Sequence, residues 1–131
     1  VKDVILSGAK NLNERVKMHE ASIAASLIEI VLNTAEENNS KKVNKVFAKI
    51  GRLAAVEIDA LLFAYDAIKD EYPTIAESEL IIEDVPITGK CQKCGAEDTY
   101  EEMFFACSKC GSFEVKLLTG EELTITEIEV D

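Results

Sequence analysis

Residues 91–111 read Cys91-Gln-Lys-Cys94-Gly-Ala-Glu-Asp-Thr-Tyr-Glu-Glu-Met-Phe-Phe-Ala-Cys107-Ser-Lys-Cys110-Gly111. Two residues separate the members of each cysteine pair, the spacing at which one tight turn aims both sulfurs at a single point. A glycine follows each second cysteine and can take positive φ, which lets the turn curl and direct its amides at the sulfur charge. The twelve residues between the pairs are enough for a short hairpin. All four cysteines of the chain lie in this window, and nothing marks the protein for an oxidising compartment, so metal ligation is favoured over disulfides. Zinc prefers a tetrahedral shell with thiolates at about 2.3 Å, and four such ligands leave no open position for water or substrate. One structural zinc on Cys91, Cys94, Cys107 and Cys110 is therefore expected. Paired knuckles also hold the single iron of rubredoxin-like electron carriers, a rival that visible absorbance separates.

Outward from the cysteines, Leu80 to Val85 is a β-branched-rich run closed by Pro86, which predicts a strand. On the other side Phe113–Leu118 and Leu123–Val130 flank Thr119-Gly120-Glu121-Glu122 and predict a hairpin. Ile58, Leu61, Leu62, Tyr65 and Ile68 recur at helical spacing before Tyr72-Pro73 stops the run. Residues 43–50 alternate, with Val46, Ala48 and Ile50 on one face and Lys45 and Lys49 on the other, until Gly51 breaks the pattern. From Ala21 to about Asn38 the positions Ile23, Leu27, Ile28, Val31 and Leu32 predict a helix, with Asn38-Asn39-Ser40 as its stop. Residues 1–17 sustain neither period and read as a weakly structured extension, either native or upstream of a true start at Met18. Two amphipathic helices each need an apolar sheet face, so the expected fold is α+β, a two-layer sandwich with a zinc-ribbon-like lobe inserted between strands. Residues 18–88 and 119–131 would form the main domain and 89–118 the lobe.

The 131 residues, 47% of them hydrophobic, can bury one main core. Fourteen basic against 25 acidic residues give a net charge of -11, which repels a phosphate backbone and argues against nucleic acid as a partner. No stretch approaches the roughly 20 apolar residues of a membrane span, and Val4-Ile5-Leu6 is too short for a secretory segment. A soluble, cytoplasmic protein with no membrane partner is expected. There is no nucleophile motif, no Gly-rich phosphate loop and one histidine, so an enzyme is not expected.

That histidine lies in Met18-His19-Glu20, directly before the first helix. The order Met-His-Glu-x-Ser-Ile, amphipathic helix, a strand ending near Ile50-Gly51, second helix and inserted cysteine lobe resembles the HypA-type nickel metallochaperones from Met18 to about Val130. The resemblance implies two helices on a small, mostly antiparallel three-stranded sheet, with a zinc lobe at one end. It implies nickel as transient cargo, passed to a nickel-insertion GTPase and to the large subunit of nickel-iron hydrogenase, or in some cases to urease. By position the family's nickel histidine falls on His19 and its adjoining acid on Glu20. Leu53-Ala-Ala-Val-Glu57 also matches, and a nearby family carboxylate falls on Glu57. The family's histidine is normally the second residue, whereas here 17 residues precede Met18, whose nitrogen is an amine donor only if the chain starts there. A homodimer formed by exchanging lobes is left open by the sequence. The rival readings are a zinc-ribbon interaction module without nickel and the rubredoxin-like electron carrier.

Overall fold

The computed structural model describes residues 1–11 and 19–131. Its elements run β1 (Lys2–Asn11), α1 (Glu20–Glu37), β2 (Val43–Gly51), α2 (Ile58–Lys69), β3 (Glu79–Val85), β4 (Ile87–Cys91), β5 (Glu97–Tyr100), β6 (Val115–Thr119) and β7 (Leu123–Val130). Two sheets result, one of four strands in the order β1-β7-β2-β3 and one of three in the order β5-β4-β6. The α+β class with two helices and a separate cysteine lobe is as expected from the sequence. The chain divides into two compact units, one of Val1–Lys49, Val56–Glu83 and Leu123–Asp131, the other of Ile50–Ala55 and Asp84–Glu122.

In the first unit the periodic positions become the core. Ile23, Ala24, Leu27, Ile28, Val31 and Ala35 of α1 and Leu61 and Tyr65 of α2 are buried, as are Val43, Val46 and Ala48 of β2. Leu123, Ile125, Ile128 and Val130 of β7 complete it. Helix α1 ends where Asn38-Asn39-Ser40 was read as a stop. Asn39 takes φ 55, its amide donates to Glu36 O, and the Ser40 amide donates to Ala35 O, a Schellman closure. Tyr65 is fully buried, and its hydroxyl is satisfied by Ser78, whose own hydroxyl reaches Ile75 O at 2.6 Å.

Two expectations are corrected. Residues 2–11, within the segment read as weakly structured, form β1, which pairs antiparallel with β7 from Lys2↔Val130 to Asn11↔Thr124 and shifts register between Ile5 and Lys10. The main sheet thus has four strands instead of three, because β1 finds its backbone partners at the far end of the chain and buries Leu6 against the core. Residues 113–118 and 123–130 do not form a hairpin with one another. Val115–Thr119 pairs antiparallel with β4, while Leu123–Val130 joins the other sheet. Gly120, at φ 119, lies between them, so the turn signal was real but marks a change of sheet.

Candidate metal centre

In the second unit β4 pairs antiparallel with β5 through Ile87↔Tyr100 and with β6 through Cys91↔Val115. Cys91 ends β4, and its amide is held by Ala96 O at 2.8 Å; Cys107 is held the same way by Ser112 O at 2.8 Å. Gly95 at φ 79 and Gly111 at φ 74 close the two turns, each donating its amide to the carbonyl of the first cysteine at 3.0 Å. Those left-handed positions are why glycine follows each pair. The turns also aim amides at sulfur: Cys94 N at Cys91 Sγ, 3.5 Å, and Lys109 N and Cys110 N at Cys107 Sγ, both 3.4 Å.

The four sulfurs lie within 4.8 Å of one another, with Cys91 to Cys110 at 3.6 Å and Cys94 to Cys107 at 3.5 Å. Thiolates about 2.3 Å from one tetrahedral zinc would lie roughly 3.8 Å apart, so the cluster has the right size for one such ion. No disulfide joins them. Cys91 and Cys107 are buried and Cys94 and Cys110 exposed. The Cys94 amide and then the Lys93 amide hold the Cys91 thiol down, to about 6, against desolvation. Amides of Cys110 and Lys109 lower Cys107 likewise. The Ala96 amide favours the Cys94 thiolate, but its contact with Cys107 and desolvation outweigh that and push it up to about 11. Cys110 is raised in the same manner, the Ser112 amide being outweighed by contact with Cys91 and desolvation. A dication bound by all four must displace the protons of the raised pair, which makes uptake pH-dependent.

A residue that the sequence did not flag braces the second turn. Asp98, on β5, accepts the Ser108 hydroxyl at 2.7 Å and the Ser108 amide at 3.1 Å. Those two donors, the hydroxyl first, hold its carboxyl below the usual carboxylate range. Nothing local announces this pairing, because the residues between the cysteine pairs form no hairpin of their own: β5 pairs with β4, and Asp98 meets Ser108 only once the second turn folds against it.

Among the described residues the cysteines are the one cluster of three or more candidate ligands. The structure does not draw His19, Glu20 and Glu57 into a second. His19 is exposed and stands immediately before α1 with extended backbone, its carbonyl accepting the Ile23 amide and its side chain making no cap bond. Glu20, half-buried, is the first residue of α1. Glu57 is exposed and stands in the corresponding position before α2, also without a side-chain cap bond. Met18 lies outside the described residues. Ile28 and Leu32 of α1 line one cleft with Ile68 of α2 and with Tyr72.

Residues 18–130 match the family described as hydrogenase/urease nickel incorporation, metallochaperone, hypA. The hydrogenase maturation factor HypA of Chlorobaculum tepidum is 38% identical over 115 residues, covering 87% of this chain and all of that protein. The factor of the same name from Rhizobium leguminosarum bv. viciae is 40% identical over 114 residues, 86% of this chain and 99% of its own. A solution structure of the nickel metallochaperone HypA from Helicobacter pylori aligns over 86% of this chain and 97% of that one, at 25% identity and a TM-score of 0.62. No helix among the described residues is long and apolar enough to cross a membrane. With the four-cysteine lobe, the two-helix sheet and this coverage together, the chain belongs to the HypA family of nickel-incorporation metallochaperones and hydrogenase maturation factors.

Proposed function

We propose that this protein is a non-enzymatic nickel carrier that binds Ni(II) through the segment at His19 and gives it up for maturation of a nickel-iron hydrogenase. The observation that carries the reading is that the family match begins at residue 18, so that it includes Met18-His19-Glu20, rather than resting on the cysteine lobe alone. Ni(II) accepts planar or tetragonal shells of nitrogen donors, which imidazole and neighbouring amide nitrogens can supply. An exposed imidazole at the start of a helix also releases an ion readily, as delivery requires. Zinc on the four cysteines is resident and structural, holding the lobe of residues 89–118, while nickel is cargo of the part formed by 18–88 and 119–131. A nickel-insertion GTPase and the hydrogenase large subunit are the proposed recipients. Nickel titration of the zinc-loaded protein, followed by calorimetry and visible absorption, tests the reading. One additional nickel per chain supports it, and no saturable uptake refutes it.

Glu57 is proposed to supply an oxygen donor or to orient the imidazole, on the strength of the family resemblance over Leu53-Ala-Ala-Val-Glu57. Glu57→Gln is expected to weaken nickel binding about 10-fold and to leave zinc content and fold intact. An unchanged isotherm with a lowered melting temperature would instead make Glu57 a helix-end charge acting on the dipole alone.

A chain shortened to begin at Met18 is expected to bind nickel more tightly, most clearly near neutral pH, because Met18 then offers an amine in place of an amide that must first lose its proton. The shortened chain also loses β1 and the buried Leu6, so its melting temperature should fall even as its nickel affinity rises. Equal affinities and equal nickel spectra would show that the Met18 nitrogen takes no part.

A further inference from the structure

The outer face of the two helices is apolar along its centre and acidic along its edges. On α1, Ala21, Ala25, Ile28 and Leu32 follow one another at helical spacing, with Ala21 and Ala25 exposed, Leu32 half-buried and Ile28 buried at the floor of the cleft. On α2, Ala60, Phe63, Ala64, Ala67 and Ile68 fall at i, i+3, i+4, i+7 and i+8. Phe63 is 77% exposed although it is the largest apolar side chain of this stripe. Between the helices lies a cleft of about 330 Å³ lined by Ala25, Ile28, Glu29, Leu32, Ile68 and Tyr72. Helix positions Glu29 and Glu36 border the α1 stripe, and Asp59 and Asp66 border the α2 stripe, each pair at i, i+7.

Charge selects the occupant. Helix α1 carries four glutamates and no basic residue. Helix α2 adds Asp59 and Asp66 against a single base, Lys69. That ammonium is already engaged, by Ser78 O at 2.9 Å and Asp66 at 3.0 Å. A second copy of this chain, with net charge -11, would bring the same acidic rims against these, and a phosphate backbone would be repelled as well. A helix with one apolar stripe flanked by lysine or arginine meets both requirements, filling the cleft and pairing with the rims.

We infer that the α1–α2 face is a docking groove for a basic amphipathic helix of a partner protein, with Phe63 as its apolar anchor and Glu29 as a rim contact. The groove stands apart from the nickel reading, and its test needs no nickel. A labelled peptide of leucine and lysine arranged as an amphipathic helix is titrated by fluorescence anisotropy into the full zinc-loaded chain, beside a leucine and glutamate peptide of the same pattern. Saturable binding of the lysine peptide alone is expected. Phe63→Ser and Glu29→Lys should each weaken it about 10-fold or more, while Phe113→Ser, equally exposed but in the cysteine lobe, leaves it unchanged. Should Phe63→Ser melt early, Ala67→Lys, at an exposed position of the same stripe, must weaken binding of the lysine peptide while leaving the fold intact. Comparable binding of the glutamate peptide by the parent, unchanged affinity in both Phe63→Ser and Glu29→Lys, or equal loss in Phe113→Ser overturns the inference.

Discussion

Cys91→Ser is expected to leave less than half a zinc per chain and to unfold the cysteine lobe while the two-helix unit stays folded. The lobe's unit buries few apolar side chains of its own. Apart from Ile50 they are Val85, Ile87 and Tyr100, together with Cys91 and Cys107 themselves. Two of its buried groups are thus proposed metal ligands, and structural zinc contributes roughly 10–16 kcal/mol of apparent folding free energy in small domains. The other unit has the buried faces of α1, α2, β2 and β7 to draw on and is expected to stay folded without the metal. Chelation of the parent protein should act as the substitution does, with amide exchange of β4, β5 and β6 rising before that of α1. Retention of zinc by Cys91→Ser, or protected lobe amides after chelation, would contradict this.

His19→Ala is expected to weaken nickel binding by well over 10-fold, since the side chain lost is the proposed ligand itself and even outer-shell partners contribute about that much. Zinc content should not change. The imidazole is exposed and makes no cap bond, so α1 loses nothing measurable with it, and melting curves should overlay. Equal nickel affinity in the two proteins would show that the site is elsewhere. Simultaneous loss of zinc would point to a folding defect.

The elements that the sequence made legible are those whose information is local. Helix α1 is written in the spacing of Ile23, Leu27 and Val31 and in the Asn38-Asn39-Ser40 stop, all within one segment. The metal cluster is equally local, because each Cys-x-x-Cys-Gly turn fixes two sulfurs and the segment between them needs only to bring the two turns together. Strand β1 was hidden because it buries Leu6 while leaving Ile5 77% exposed, and its partner β7 lies at the opposite end of the chain. The same non-locality concealed the fate of residues 113–130, where a good turn signal at Gly120 could not say that the flanking strands enter different sheets. Asp98 was invisible for a related reason, its partner Ser108 lying in the second cysteine turn, ten residues on. His19 and Glu57 carry no signal in spacing or composition, and the family resemblance alone singled them out.

The protein is proposed to hold two metals on opposite terms, a resident ion in a closed thiolate cage and a cargo ion on an exposed imidazole. Metal analysis of a single nickel-loaded sample, before and after brief exposure to excess free histidine, tests it most directly. One zinc and one nickel per chain beforehand, with the nickel lost and the zinc kept afterwards, is the expected result. Nickel found in place of zinc, or no nickel retained above the level of the His19→Ala protein, would contradict it.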